Sequence, residues 1–265
     1  MGTTAAFELG TWLAGLVPLL AAAALTWTVS VAKRNVTIVD TLWPLLFVIA
    51  AFTYALAVPA DGARRSIVLA LVTVWGLRLA IYLGWRSHGQ QEDRRYQEIR
   101  QRNEPNFALK SLYLVFGLQA TLAWLISLPL LGAVTSPLAA GWLDWAGVAL
   151  WSIGFTFEAG GDWQLARFKS DPANRGKVMD RGFWRYTRHP NYFGDFCVWW
   201  GFYLMALSGG AWWSLPGPLL MSWLLLRVSG VNLLEKDIAE RRPEYAEYVQ
   251  RTNAFFPGPR KPDGR

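Results

Sequence analysis

Residues 9–32 read LGTWLAGLVPLLAAAALTWTVSVA, 24 positions without one charged side chain. A helix of that length, at about 1.5 Å per residue, outspans the ~30 Å hydrocarbon core of a bilayer. The same reading repeats along the chain. Residues 41–60 hold no charge, 66–85 hold only Arg78, and 111–143 hold none over 33 positions, enough for one span and a loop. Residues 145–165 carry Glu158 and Asp162, and 191–226 carry only Asp195, with Ser208-Gly209-Gly210 dividing that stretch into two. An all-α integral membrane bundle of seven spans is expected, at roughly 9–32, 39–58, 66–86, 111–134, 142–165, 191–208 and 212–233. The first is too long for the apolar core of a signal peptide, and an acid, Glu8, precedes it where a signal would carry basic residues.

Composition agrees. Of the 265 residues 53% are hydrophobic and 17% charged, against about 25% charged in a typical soluble domain. That balance excludes a disordered chain, a collagen-like chain and an ordinary soluble domain. The single cysteine, Cys197, leaves no disulfide framework and no Cys-based zinc site, and two histidines, His88 and His189, argue against a His-rich metal site. No metal is expected. The net charge of +7 is read as basic cytoplasmic loops and not as a nucleic-acid surface.

The cations are unevenly distributed. Of 26 Lys and Arg residues, Arg78 and Arg227 lie well inside spans and only Arg64 and Arg65 in the second loop, while the end of the third span (Arg86), the first, third and fifth loops and the C-terminal tail hold the other 22. Basic loops therefore alternate with neutral ones. The positive-inside rule puts the N-terminus outside and the C-terminus in the cytoplasm. The third loop, 88–110, is mixed in charge and expected to be helical. The fifth, 167–188, has seven basic residues with Gly176 and Gly182 as turn points. In the tail, the spacing of Tyr245, Tyr248 and Val249 gives a short amphipathic helix.

An ionisable side chain at membrane depth is unfavourable and tends to face the protein interior. Away from the span ends at Arg86 and Asp144, six stand out: Asp40, Arg78, Glu158, Asp162, Asp195 and Arg227. The four acids fall toward the cytoplasmic ends of their spans. Glu158, Asp162, Leu165 and Lys169 share one helix face, and Asn191 and Asp195 share another. The basic fifth loop joins the two helices. Acids, donors and cations thus converge on one cytoplasmic mouth. The cations Lys169, Lys177, Arg181, Arg185 and Arg188 suit phosphates, the acids suit ribose hydroxyls or an amide, and neighbouring Trp and Tyr suit a flat ring. A nucleotide cofactor combines these parts. No soluble dinucleotide or P-loop fingerprint is present.

The segment Arg188-His189-Pro190-Asn191-Tyr192-Phe193-Gly194-Asp195 is the most specific in the chain. Together with Asp162, Phe168-Lys169, Gly182-Phe183-Trp184, Glu235-Lys236 and Arg242-Pro243-Glu244-Tyr245, it resembles the membrane steroid 5-alpha-reductase family, in particular its bacterial branch. The resemblance is strong over 158–257. In the first half Val39-Asp40-Thr41-Leu42-Trp43 and Glu92-Asp93-Arg94-Arg95-Tyr96 look like the same branch. It implies a seven-helix enzyme that uses NADPH to reduce the 4,5 double bond of a 3-oxo-4-ene steroid. It also implies a cofactor site at Asp162, Lys169, Asn191 and Asp195, with His189, Tyr192, Glu235, Tyr245 and Tyr248 nearby and Arg78 and Arg86 from the third span. On this reading the chain is one membrane domain, with the substrate cavity in 1–135 and the NADPH site in 136–265. The animal enzymes carry a Gln-Glu pair in the second span and a Tyr in the third; here the second span offers Asp40, and the third Trp75 and Tyr82. Asp40, Tyr82 and Trp75, in that order, are the candidates for the group that polarises the ketone. A carboxyl among apolar walls can stay protonated and donate. Arg78 is expected to face the interior, toward the cofactor or an acid.

Arg-His-Pro-x-Tyr segments followed by an acidic tail also occur in membrane methyltransferases that use S-adenosylmethionine, of the isoprenylcysteine or phospholipid type. That class is the alternative. The number and order of Asp162, Lys169, Gly182 and Asn191-Tyr192-Phe193-Gly194 favour the reductase. A lipophilic enone would reach the site from the bilayer, and alanine-, tryptophan- and arginine-rich usage suggests a bacterial inner membrane.

Overall fold

A computed structural model describes residues 6–59, 61–228 and 243–261. Among them every regular element is helical. The main helices are α1 (Leu9–Lys33), α2 (Ile38–Ala57), α3 (Ala63–Ser87), α4 (Arg94–Asn103), α5 (Phe107–Ser111), α6 (Leu118–Ile126), α7 (Leu128–Thr135), α8 (Trp142–Ser170), α9 (Pro190–Ser208), α10 (Pro216–Trp223) and α11 (Pro243–Arg251). Among the described residues four stretches are long and apolar enough to cross a membrane: α1, α2, α3 and Phe107–Ile126. The helices α4 and α11 are the two short ones expected in the third loop and the tail.

The fourth apolar stretch is not one rod. A π-helical turn, Leu112–Gly117, sits between α5 and α6, with the Leu118 amide donating to Tyr113 O. The chain then breaks at Ser127, and α7 restarts with Pro129 in its first turn, where the missing amide hydrogen does no harm. Hydropathy alone reads 111–134 as one span because neither the break nor the turn changes polarity.

Two compact units form: Met1–Asp144 with Met205–Gly217, and Trp145–Leu204 with Pro218–Arg265. In the first, α2 packs against α1 and α3, α6 against α1 and α2, and α7 against α2 and α3. Leu46, Phe47, Tyr54, Trp75 and Phe116 are fully buried there. The Tyr54 ring lies against Gly15, and its hydroxyl pairs with Ser127 Oγ at 2.7 Å. A hydroxyl at this depth is tolerated because it has a partner.

The two cations of the second loop have structural uses. Arg65 donates to Val58 O at 2.7 Å and to Ala55 O, closing the end of α2. Arg64 is 2% exposed. It forms a forked pair with Asp144, at 2.7 Å from Nε and 2.9 Å from Nη2. It also donates to Leu138 O and Ala139 O at 2.8 and 2.9 Å and to the hydroxyls of Ser136 and Ser208. Asp144 accepts further from Gly141 N and Ser208 Oγ. This clamp ties the start of α3 to the loop before α8 and to the end of α9.

In the second unit α8 and α9 run antiparallel along a glycine seam. Gly147, Gly154 and Gly161 recur every seven residues on α8, and Gly194 and Gly201 do so on α9. A Cβ at Gly194 would lie 2.5 Å from Gly154 O and Glu158 N, and one at Gly201 2.7 Å from Gly147 O. Backbones this close leave no room for any side chain, the packing that small residues at a repeated spacing permit. Beyond the seam the fifth loop folds back over α8. The Phe183 amide and the Trp184 indole donate to Gln164 Oε1 and Gly161 O at 2.9 and 3.0 Å. The turn depends on Gly182, whose φ of 58° favours glycine. The tail docks on this loop: Tyr248 Oη donates to Trp184 O at 2.6 Å, Thr187 Oγ1 to Phe255 O at 2.8 Å and Gly258 N to Tyr186 O at 3.1 Å.

Candidate functional site

The second unit brings together residues that lie far apart in sequence. Asp162, on the last part of α8, is 4% exposed. Asn191, in the first turn of α9, donates from Nδ2 to Asp162 Oδ1 at 3.3 Å. The glycine seam makes this pairing possible, because Gly161 sits directly against Pro190 and the Asn191 amide. Glu158, one turn back on α8, is also buried, and Asp195, one turn along α9, is half-buried. His189 is buried, and its ring stacks on Tyr192 with centroids 5.7 Å apart. Acids, an amide and a flat ring therefore collect where the two helices meet the fifth loop.

About 10 Å further along α8, at 1.5 Å per residue, a cleft of about 380 Å³ opens beside the helix end. Its cations are Lys169, Arg175 and Lys177, and its apolar wall is Leu165, Phe168 and Met179. Two of these cations are expected from sequence. Arg175 is not singled out there, although its place beside a turn glycine between the two lysines was the available signal.

The remaining basic candidates are placed differently. Arg188 is 9% exposed, and its guanidinium caps the tail helix, with Nη1 donating to Thr252 O at 2.7 Å and Val249 O at 3.0 Å. Cations are favourable at such helix ends. Arg181 precedes the 3₁₀ turn Gly182–Arg185, Arg185 is its last residue, and both are exposed. Tyr245 and Tyr248 of the tail helix are buried, their rings 5.6 Å apart. Burial, and then the neighbouring Tyr245, push the Tyr248 phenol above its ordinary pKa, so it stays a donor to Trp184 O. Glu235, Lys236 and Arg242 lie outside the described residues.

In the first unit the candidates separate into two groups. Arg78, Tyr82 and Arg86 follow each other at four-residue intervals on one face of α3, with the two guanidinium carbons 5.5 and 5.7 Å from the Tyr82 ring centre. Trp75 is a core side chain, 5.8 Å from Phe47 between ring centres.

Asp40 belongs to a network that spacing did not reveal. Its Oδ2 accepts from Arg95 Nη2 at 2.9 Å and its Oδ1 from Tyr96 Oη at 2.5 Å. The Tyr96 hydroxyl in turn accepts from Gln119 Nε2 at 3.3 Å. Arg95 and Tyr96 thus both reach Asp40 from the third loop. Burial first, then the Asp40 charge, hold the Tyr96 phenol above its ordinary pKa.

The third loop is held by further pairs. Val36 N donates to Glu92 Oε1 at 2.9 Å, Arg100 forks onto Glu92, and Asp93 N donates to Thr37 Oγ1 at 2.8 Å. Burial opposes ionisation of Glu92, but Arg100 and the Val36 amide outweigh it and keep the carboxyl below its usual pKa. The stretch Glu92–Tyr96 is legible as a motif; its docking onto the α1–α2 turn is not. Among the described residues no three His, Cys, Asp or Glu side chains gather to hold a metal ion.

The class so defined is a helical protein with, among the described residues, four stretches able to cross a membrane, a glycine-seamed helix pair and a basic cleft beside it. The chain belongs to the family described as "Protein of unknown function (DUF1295)", whose model matches residues 26–252. It is similar to an uncharacterized protein of Schizosaccharomyces pombe (strain 972 / ATCC 24843), with 28% identity over 261 aligned residues that cover 87% of this chain and 75% of that one. No solved structure matches it.

Proposed function

We propose that the protein is a membrane reductase of the steroid 5-alpha-reductase kind, which uses NADPH to reduce the 4,5 double bond of a 3-oxo-4-ene steroid or a similar lipophilic enone. The reading includes seven spans, an N-terminus outside, a cytoplasmic C-terminus and a bacterial inner membrane. The observation that carries it is the convergence of Asp162, Asn191, Lys169 and Lys177. The resemblance singles out three of these and the fifth loop's charge the fourth, and all four collect at one end of the α8–α9 pair. Its family, which takes in steroid 5-alpha-reductase-like membrane proteins, supports the same reading.

The donor set fits the cofactor. A carboxylate and a side-chain amide match ribose hydroxyls and a carboxamide, and the basic cleft matches phosphates. When bound, NADPH would supply the hydride that adds to the beta carbon, leaving NADP+, while the alpha carbon would take a proton from water. Asp162 and Asn191 orient the ribose and amide groups, and Lys169 and Lys177 hold the phosphates. Negative charge develops on the ketone oxygen, where one well-placed donor is worth ~3 kcal/mol. On this reading the candidates for that donor are Asp40, Tyr82 and Trp75.

The test is to incubate the purified protein in lipid nanodiscs with NADPH and a 3-oxo-4-ene steroid, following reduced-nicotinamide absorbance and the steroid product together. Oxidation of NADPH with formation of the saturated ketone is expected, and Asn191→Ala and Asp162→Ala should each weaken NADPH binding. Absence of turnover, with thermal stabilisation by S-adenosylmethionine in place of NADPH, would refute the reading in favour of a methyltransferase.

A further inference from the structure

The cleft beside the end of α8 has features that a generic basic loop lacks. Three cations line it, Lys169, Arg175 and Lys177, and one acid, Asp171. That acid is already engaged: its Oδ1 accepts from Ala173 N at 2.9 Å and caps the short turn Pro172–Asn174. Successive tight turns follow, with Arg175 N donating to Pro172 O at 3.1 Å and Lys177 N to Asn174 O at 3.0 Å. Asn174 Nδ2 ties the turn back to Phe168 O at 3.0 Å. Gly176, with φ at 89°, lets Arg175 and Lys177 line the same cleft. The two cations thus stand on a braced turn.

Size and position narrow the ligand. A volume of about 380 Å³ is near the small end of ligand pockets, roughly 300–1,000 Å³, so the cleft takes one part of a dinucleotide. It lies two turns of α8 beyond the Asp162–Asn191 pair, which suits the nicotinamide half. The adenosine half then falls to the cleft, where Leu165, Phe168 and Met179 offer an apolar wall for the base.

The charge balance decides which adenosine. Dinucleotide sites that prefer NADH offer a carboxylate to the ribose 2′-hydroxyl, whereas those that prefer NADPH offer an arginine to the 2′-phosphate. A phosphate monoester carries about −1.5 to −2 charges at pH 7. Here the single acid is committed to a backbone amide, and a guanidinium suited to forked phosphate binding stands between two lysines.

We infer that this cleft reads the adenosine 2′-phosphate of the cofactor and that Arg175 sets the preference for NADPH over NADH. The inference rests on the cofactor reading above and assigns it a discriminating residue.

The test measures equilibrium binding to the full-length protein in nanodiscs, with NADPH, NADH and adenosine 2′,5′-bisphosphate as probes. Arg175→Ala should lower NADPH affinity about tenfold, equivalent to ~1.4 kcal/mol, and change NADH affinity less than twofold. Arg175→Lys should restore part of the loss. The bisphosphate should bind the parent and compete with NADPH, and bind Arg175→Ala about tenfold more weakly. Equal loss of NADPH and NADH in Arg175→Ala, or none of either, overturns the inference and leaves the reductase reading standing if turnover persists. Failure of both dinucleotides to bind the parent protein overturns that reading as well.

Discussion

Removing the carboxylate of Asp144 should unfold the first unit more readily than any surface substitution. In Asp144→Ala, Arg64 stays 2% exposed and loses both arms of its fork, at 2.7 and 2.9 Å. The carbonyls of Leu138 and Ala139 still accept from it, but they carry no compensating charge. Gly141 N and Ser208 Oγ lose their acceptor too. Breaking a buried pair by removing one partner costs about 3–5 kcal/mol. At about 2–4 °C per kcal/mol for a chain or domain of 150–250 residues, the apparent Tm should fall by about 6–20 °C. Tryptophan-fluorescence melts in one fixed detergent measure it. Arg94→Ala is the control, since Arg94 and Glu98 pair at 61% and 45% exposure, where a pair contributes about 0.5 kcal/mol or less. The double variant Arg64→Met with Asp144→Leu should recover most of the loss, because an apolar pair leaves no buried charge. If Asp144→Ala melts within a degree or two of Arg94→Ala, the clamp is not a stabilising element and this reasoning fails.

Three other perturbations follow from particular contacts. Gly194→Ala puts a methyl 2.5 Å from the α8 backbone and should destabilise by at least 1–3 kcal/mol, whereas Gly10→Ala, with nothing within 4 Å, should leave the melt almost unchanged; equal melts would contradict the seam. Tyr96→Phe removes the hydroxyl that donates to Asp40 and should lower stability by about 1.5–3 kcal/mol; an unchanged melt would show that this hydroxyl does not hold the third loop. Because Glu92 has a depressed pKa in the folded protein, its contribution is present above the unfolded value near 4.5 and fades as pH falls through the folded value. Hydrogen exchange of α4 amides should therefore accelerate in acid, after correction for intrinsic rates, and Glu92→Gln should abolish that dependence. A parent and variant with the same acid profile would show that Glu92 does not hold the loop.

Much of this was legible from residue order. Charge-free runs place α1, α2 and α3, because a helix that crosses lipid must be apolar over about 20 residues whatever its neighbours are. Alternating mixed-charge and glycine-marked segments place α4, α11 and the turns at Gly176 and Gly182 for equally local reasons. The resemblance named Asp162, Lys169 and Asn191, and the fifth loop's charge named Lys177. What no local pattern carried was who meets whom. Arg188 belongs to a basic loop by sequence, yet it caps the tail helix. Asp40 reads as a lone acid in a span, yet Arg95 and Tyr96 reach it across 55 and 56 positions. Arg64 looks like an exception to the charge asymmetry of the loops until Asp144, 80 residues away, accounts for it. Hydrophobicity is summed along a segment and survives any rearrangement of the rest. Hydrogen bonds and ion pairs act over about 3 Å between particular atoms, so only the packed tertiary structure decided their partners.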